Sequence, residues 1–252
     1  MKLLLTGMIF PLFITSQAGA KTLTFSAIST SKTPEVGILV LHEAYGQMGI
    51  RPAMKKLPGE RALRAANSGK TDGELHRIKA MMKPYTNLIR VDVPINHIEG
   101  VAYTKDPSLT VRNWQDLGKV KSGGVRGIKW FEKNTKGIAV QKYASFSDLF
   151  KALKVGRIQV GMANRINGIT HIAGMGLTGV TPIEPPLVRL PLYHYLHKRH
   201  KELVPRLTTI LQTMEKKGRI AAIRRQALAA MAAGRPLPVL TGLKSGSPAA
   251  GQ

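Results

Sequence analysis

The chain has 252 residues and no cysteine, which excludes disulfides, thiolate nucleophiles and cysteine metal ligands. Acidic residues are scarce: 14 Asp and Glu stand against 38 Lys and Arg, a formal net charge of +24. That excess favours anionic partners, whether small anions, acidic polymers, lipid head groups or nucleic acid. The cations run through the whole chain rather than gathering in a tail, a pattern more typical of a solvated surface than of one binding patch. A membrane-length apolar run is missing at the N-terminus. Leu3 to Ile14 is interrupted by Gly7 and Pro11 and falls short of the ~20 residues that span a bilayer. The small-x-small sequence Ala18-Gly19-Ala20 follows it, so residues 1–20 read as a cleavable export leader. With 43% hydrophobic residues, apolar burial must supply the stability.

What is there alternates between strand and helix. Thr22 to Ile28 alternates as a strand, and Pro34 to Gln47 has helical spacing, with Thr33 expected as its cap. Pro58 to Arg77 reads as turn, amphipathic helix, turn and strand, with Leu63 and Ala66 on the buried helix face. Leu88 to Val93 and Gly100 to Thr104 are expected as two strands, and Asn113 to Leu117 as a short helix. After the Gly-broken strand Val120 to Val125 comes a helical run, Ile128 to Asn134. Ser145 to Leu153 is a helix with a Ser145-to-Asp148 cap, and Arg157 to Ala163 alternates as a strand. Prolines punctuate an extended return segment, and two C-terminal helices broken at Gly218 run to about Ala233. The alternation argues for parallel sheets. Two extended passages, Val101 to Lys105 and Leu187 to His194, bracket the middle of the chain like a pair of crossing strands.

Enzymatic motifs are absent. No G-x-S-x-G elbow occurs, and Lys121 to Gly127 lacks the G-K-[ST] ending of a Walker loop, though its backbone N–H groups precede a helix and suit an anion. His194, His197 and His200 have ligand-like spacing, but no carboxylate completes a metal set, and they are expected at an interface or in solvent. No cofactor and no metal are called for.

The Pro58-to-Arg77 stretch, flanked by Glu43-Ala44-Tyr45 and Tyr85 to Val91, resembles the type II periplasmic solute-binding proteins, the family 3 receptors related to amino-acid ABC transporters. The return segment Leu190 to His200 and the closing helices match the same order, so the resemblance covers about Lys21 to Ala230. It implies an α/β fold of two lobes, with mixed sheets, helices on both faces and two crossing hinge strands. Lobe 1 would be residues 21–104 and 190–233, lobe 2 residues 105–189, and 234–252 a disordered tail. It also implies a monomer in the periplasm that closes on a small solute and presents it to an inner-membrane ABC permease, with no catalysis and no nucleic acid.

The resemblance assigns the site as well. Arg77 stands nearest to the arginine that grips a ligand carboxylate, with Glu74 and Tyr85 on the same lobe. From lobe 2 come Arg126, Gly127 and Ile128, where the receptors use Gly-rich backbone. Asn164 stands where they place the aspartate that holds an α-ammonium. With an amide there and Arg126 and Arg165 beside it, a small polar or anionic solute is expected rather than an amino acid. The first loop, Ser29 to Pro34, has no aromatic to stack on a ligand; Tyr85, Tyr103 or Trp130 could replace it or serve as packing. Two alternatives stay open: a dehydratase-like relative using Glu74 or Asp72, and a basic protein for acidic polymers.

Overall fold

In a computed structural model that describes residues 21–237, strand and helix alternate from the first described residue; the expected leader and the tail beyond residue 237 lie outside the described residues. The elements are β1 (Lys21–Ile28), α1 (Thr33–Gly46), β2 (Ile50–Leu57), α2 (Gly59–Asn67), β3 (Gly73–Arg77), β4 (Leu88–Thr104), β5 (Ser122–Val125), α3 (Lys129–Asn134), β6 (Gln141–Tyr143), α4 (Phe146–Lys154), β7 (Val160–Asn164), α5 (Arg165–Gly174), β8 (Thr181–His197), α6 (Val204–Lys216) and α7 (Arg219–Ala232). Their sheet has the order β2-β1-β3-β8-β4-β7-β5-β6. β1 pairs in parallel with β2 and β3, and β5 in parallel with β6 and β7. Between these two parallel trios runs the antiparallel pair of β4 and β8, registered from Leu88↔His197 to Thr104↔Thr181.

Those two strands are 17 residues each, roughly 55 Å at a rise of about 3.3 Å, so they pass through both halves of the molecule. The expected pair of strands at 88–93 and 100–104 is therefore one. Pro94 lies inside it, where the β4/β8 register shifts, and a bulge tolerates the missing N–H.

Apolar side chains divide between the halves. Leu23, Phe25, Leu75 and most of α1 pack with Leu207, Leu211, Met214 and Ile223, so the C-terminal helices return to the first half. Tyr103, Leu149, Phe150 and Leu153 pack in the second half, and Leu117, Phe131 and Met162 form a further cluster there. Leu237, within the expected tail, is buried against the first cluster.

Local signals explain most boundaries. Ser145 accepts from the Asp148 N–H at 3.1 Å, as its sequence signature requires. The α1 start is one residue earlier than expected: Thr33 is already helical, and Ser31 Oγ takes the Thr33 N–H at 3.1 Å. Pro34 still occupies the first turn, where no N–H is needed. Gly73 is obligatory on β3, because a Cβ there would lie 2.1 Å from the Tyr195 carbonyl oxygen.

Two of the three C-terminal histidines are buried where solvent or an interface was expected, while His197 is half-exposed. His194 is fully buried; its Nδ1 donates to the Leu75 carbonyl at 3.0 Å, and its Nε2 receives the Tyr45 hydroxyl at 2.9 Å. Burial pushes its pKa down to about 4, so it is a neutral core residue. His200 is buried against Asp72 at 2.7 Å.

Candidate functional site

Each parallel trio has its first strand in the middle, with the next two on opposite sides: β2-β1-β3 and β7-β5-β6. Loops leaving such a central strand diverge at its carboxyl end and leave a crevice, which is where open α/β sheets bind ligands. The chain thus builds two crevices, after β1 and after β5.

The first is occupied by Ser29, Thr30, Ser31 and Lys32, which line a cavity of about 610 Å3. Its opposite wall is Ser147 from the start of α4 and Asn167, Thr170, His171 and Met175 from α5 and its end, so both halves of the molecule contribute. Ser31 Oγ reaches Asn167 Oδ1 across the divide at 3.4 Å. Lys56, on the neighbouring β2, completes the lining, and it shares Glu35 Oε1 with Lys32 at 2.8 and 3.2 Å. Two ammonium groups against one carboxylate leave a positive balance. Among the described lining residues there is no Asp or Glu.

His171 is fixed in this wall. Its ring stacks on Phe150 with an interplanar angle of 17° and leans on Phe146. Nδ1 meets the Asn167 carbonyl at 2.8 Å, and because a carbonyl only accepts, Nδ1 carries a hydrogen. Nε2 is then the ring's remaining polar atom.

At the second crevice the loop pairs with a side chain of the protein itself. Gly127, at a φ of +82°, directs its N–H at Glu132 Oε1, 2.7 Å away. The loop expected to cradle an anion therefore holds its own carboxylate. Arg126 beside it is exposed, and Ile128 packs partly buried at the start of α3.

The remaining residues singled out by sequence do not line the cavity. Arg77 ends β3 buried; it pairs with Glu74 Oε1 at 2.9 Å and donates to the Gly59 carbonyl at 3.2 Å. Glu74 is fully buried and accepts from Ser26 Oγ at 2.6 Å. Burial pushes its carboxyl up to about 7, against the pull of Arg77 and Ser26. Tyr85 donates its hydroxyl to Glu60 at 3.0 Å. Asn164 caps α5, its Oδ1 taking the Asn167 N–H at 2.8 Å. Arg165 is bound to Glu99 and to Glu184. Tyr103 is core, with its hydroxyl donated to the Arg165 carbonyl at 3.2 Å, and Trp130 packs among Trp114, Phe131 and Gly100.

Sequence reasoning named the Ser29-to-Pro34 loop only for its lack of an aromatic, and it passed over Lys56, Asn167 and His171. The loop carried a signal, a polar run straight after a strand and before a Pro-initiated helix. The last two had none, because α5 was not read as a helix.

No protein-family model matches the chain. An uncharacterized protein of Shewanella oneidensis is 28% identical over 202 residues, covering 76% of this chain and 75% of that one. Among solved structures, the L-cystine solute receptor of Neisseria gonorrhoeae, unliganded and open, superposes with a TM-score of 0.64 at 11% identity, over 86% of this chain and 95% of the receptor. An ancestral arginine-binding protein bound to arginine gives 0.58 at 20% identity, over 82% and 98%. The chain therefore has the two-lobed α/β fold of the type II periplasmic solute-binding proteins.

Proposed function

We propose that this protein is a periplasmic solute-binding protein that captures a small polar or anionic solute in the cavity after β1, between its two lobes. The observation that carries the reading is the cavity itself: it lies at a strand-order reversal, both halves wall it, and beside Met175 its lining offers hydroxyl, amide, imidazole and ammonium groups. An α-ammonium there would lose water without meeting a carboxylate from the lining, whereas a carboxylate or phosphate would meet Lys56 and Lys32. Bending of β4 and β8 would close the lobes over the solute, and the closed surface would be offered to an inner-membrane ABC permease by a monomer. No chemical step is required.

Of the two acids a dehydratase-like reading would use, Asp72 is paired with Arg199 and His200, and Glu74 has its carboxyl pushed up to about 7. It is sealed beneath Ser26 and Arg77 and does not line the cavity, so it supports binding-site structure better than turnover.

A thermal-shift panel of citrate, gluconate, inorganic phosphate, L-glutamine and L-arginine tests the reading. An anion at 100 times its Kd should add about 2.7 kcal/mol of stability, and Lys56→Gln should abolish most of that gain. If L-arginine gave the largest shift, solute binding would stand and the anionic preference would fall. If no solute shifted the protein while a polyanion was retained and released by modest salt, the polymer-binding alternative would replace it.

A further inference from the structure

Glu99 lies on β4 where the two halves join, one residue before the Gly100↔Asn164 pairing. It is 9% exposed. Cationic or imidazole groups from four elements converge on its two oxygens. Oε2 takes Arg165 from the first turn of α5, and Arg224 from α7 at 3.0 Å. Oε1 meets His97 of β4 at 3.1 Å and Arg189 of β8 at 3.8 Å. Arg224 also donates to Asn96 at 3.3 Å, and Asn96 in turn donates to the Thr33 carbonyl at the start of α1. Arg165 reaches its second carboxylate, Glu184 of β8, at 2.7 Å.

The helix held by this node belongs to both halves. Ile166 of α5 is buried in the first-half core, with Ile169 packed against it, while Ile172 and Met175 pack on the second-half core. Asn167, which touches Ser31 across the cavity, lies in the turn that the node grips.

We infer that Glu99 is a positioning residue for the cleft: it clamps the first turn of α5 to both hinge strands and to α7. The wall bearing Asn167 then stays registered with the β1–α1 loop, and bending of the lobes takes place about this node. Without the Glu99 charge, Arg165 would keep Glu184, while Arg189 and Arg224 would be left with Glu215, which lines one cavity with them, and the excess of like charge would drive the junction apart. The inference borrows from the proposed solute site only in naming what the wall is for.

The absence of cysteine makes the test clean. Lys55 and Lys142 are exposed on β2 and β6, the outermost strands, so a Lys55→Cys, Lys142→Cys pair carries two spin labels that report on bending. Glu99→Gln should lengthen and broaden the label-to-label distance distribution measured by electron spin resonance, with circular dichroism unchanged. Arg224→Lys, which keeps the charge, should restore most of the parental distribution when compared with Arg224→Gln. Should Glu99→Gln fail to fold, Arg165→Gln, which leaves Glu99 with Arg224, is read in its place. A parental distribution in the folded variants would overturn the inference. The solute panel is scored separately: altered distances with no solute bound by the parent would sink the solute reading and leave the clamp, and unaltered distances with normal solute binding would do the reverse.

Discussion

Glu74 and Glu99 are buried carboxylates on two strands of one sheet, each beside an arginine, yet their protons are held in opposite senses. Burial raises both. For Glu74 it wins, and the carboxyl is pushed up to about 7 although Arg77 and Ser26 favour its anion. For Glu99 burial is outweighed by hydrogen bonds from His97 and Arg165 and by the charges of Arg224 and Arg165, which hold the carboxyl well below the usual carboxylate range. Glu99 is both less deeply buried and met by more donors than Glu74, and the two differences act together to keep it ionised. One carboxylate ties a strand to its own lobe; the other ties elements from both lobes together.

The largest effect expected from breaking this contrast is at Glu99. Glu99→Gln strands buried guanidinium groups and should cost about 3–5 kcal/mol, read by urea unfolding, a large share of the 5–15 kcal/mol typical of a whole domain. A loss under about 1 kcal/mol would mean that the arginines find water instead. Glu74→Gln keeps the shape and the Ser26 contact but leaves the buried Arg77 without its carboxylate, a loss tempered because the Glu74 carboxyl is pushed up to about 7. It should cost about 1–3 kcal/mol, less than at Glu99.

A pH series sharpens the comparison. Glu74 is raised, so the folded state binds its proton more tightly than the unfolded chain, and its contribution falls as pH rises from about 4.5 to about 7. Wild type should therefore gain on Glu74→Gln as the solution is acidified through that window. Glu99 is lowered, so its contribution is present above about 4.5 and is lost as pH falls below it. The advantage of wild type over Glu99→Gln should accordingly shrink in acid. His97, bonded to Glu99 and with its pKa lowered mainly by burial, loses that partner in Glu99→Gln, so its own titration enters the Glu99 difference, which has to be read from the His97→Asn background. The same slope for both variants would show that the two acids do not differ. Smallest of all is Lys119→Ala, which removes an exposed pair with Asp116 and should change stability by no more than about 0.5 kcal/mol.

Much of the fold was legible because its signals are local. Period-2 and period-3.6 patterns placed most strands and helices, Ser145 announced its cap, and the bracketing extended passages foretold β4 and β8. Two elements were misread. The two strands expected at 88–93 and 100–104 are one because β4 bulges at Pro94 and continues, and α5 opens Arg-Ile-Asn-Gly, a sequence without an amphipathic helical signal of the kind that marked α2 and α4. Arg77, Glu74 and Asn164 were expected to hold the solute, with Arg165 beside them; none of them lines the cavity, and each is engaged with a group of the protein itself. Their partners were not legible: Ser26 for Glu74 and Glu99 for Arg165 are supplied from elsewhere in the chain.

By itself, then, the sequence determined the order of elements, the crossing strands, the missing thiol chemistry and the polar loop after β1, since each depends on residues a few positions apart. Tertiary structure alone decided which polar groups remain available to a solute. Glu132 bends back into the β5 loop, Asn164 is consumed as a cap, and Arg165 reaches Glu99 from 66 positions away. Ser31 and Asn167, 136 positions apart, meet across the cavity. A side chain's charge is written in the sequence, but whether that charge is already satisfied depends on what the folded chain brings within about 3 Å of it.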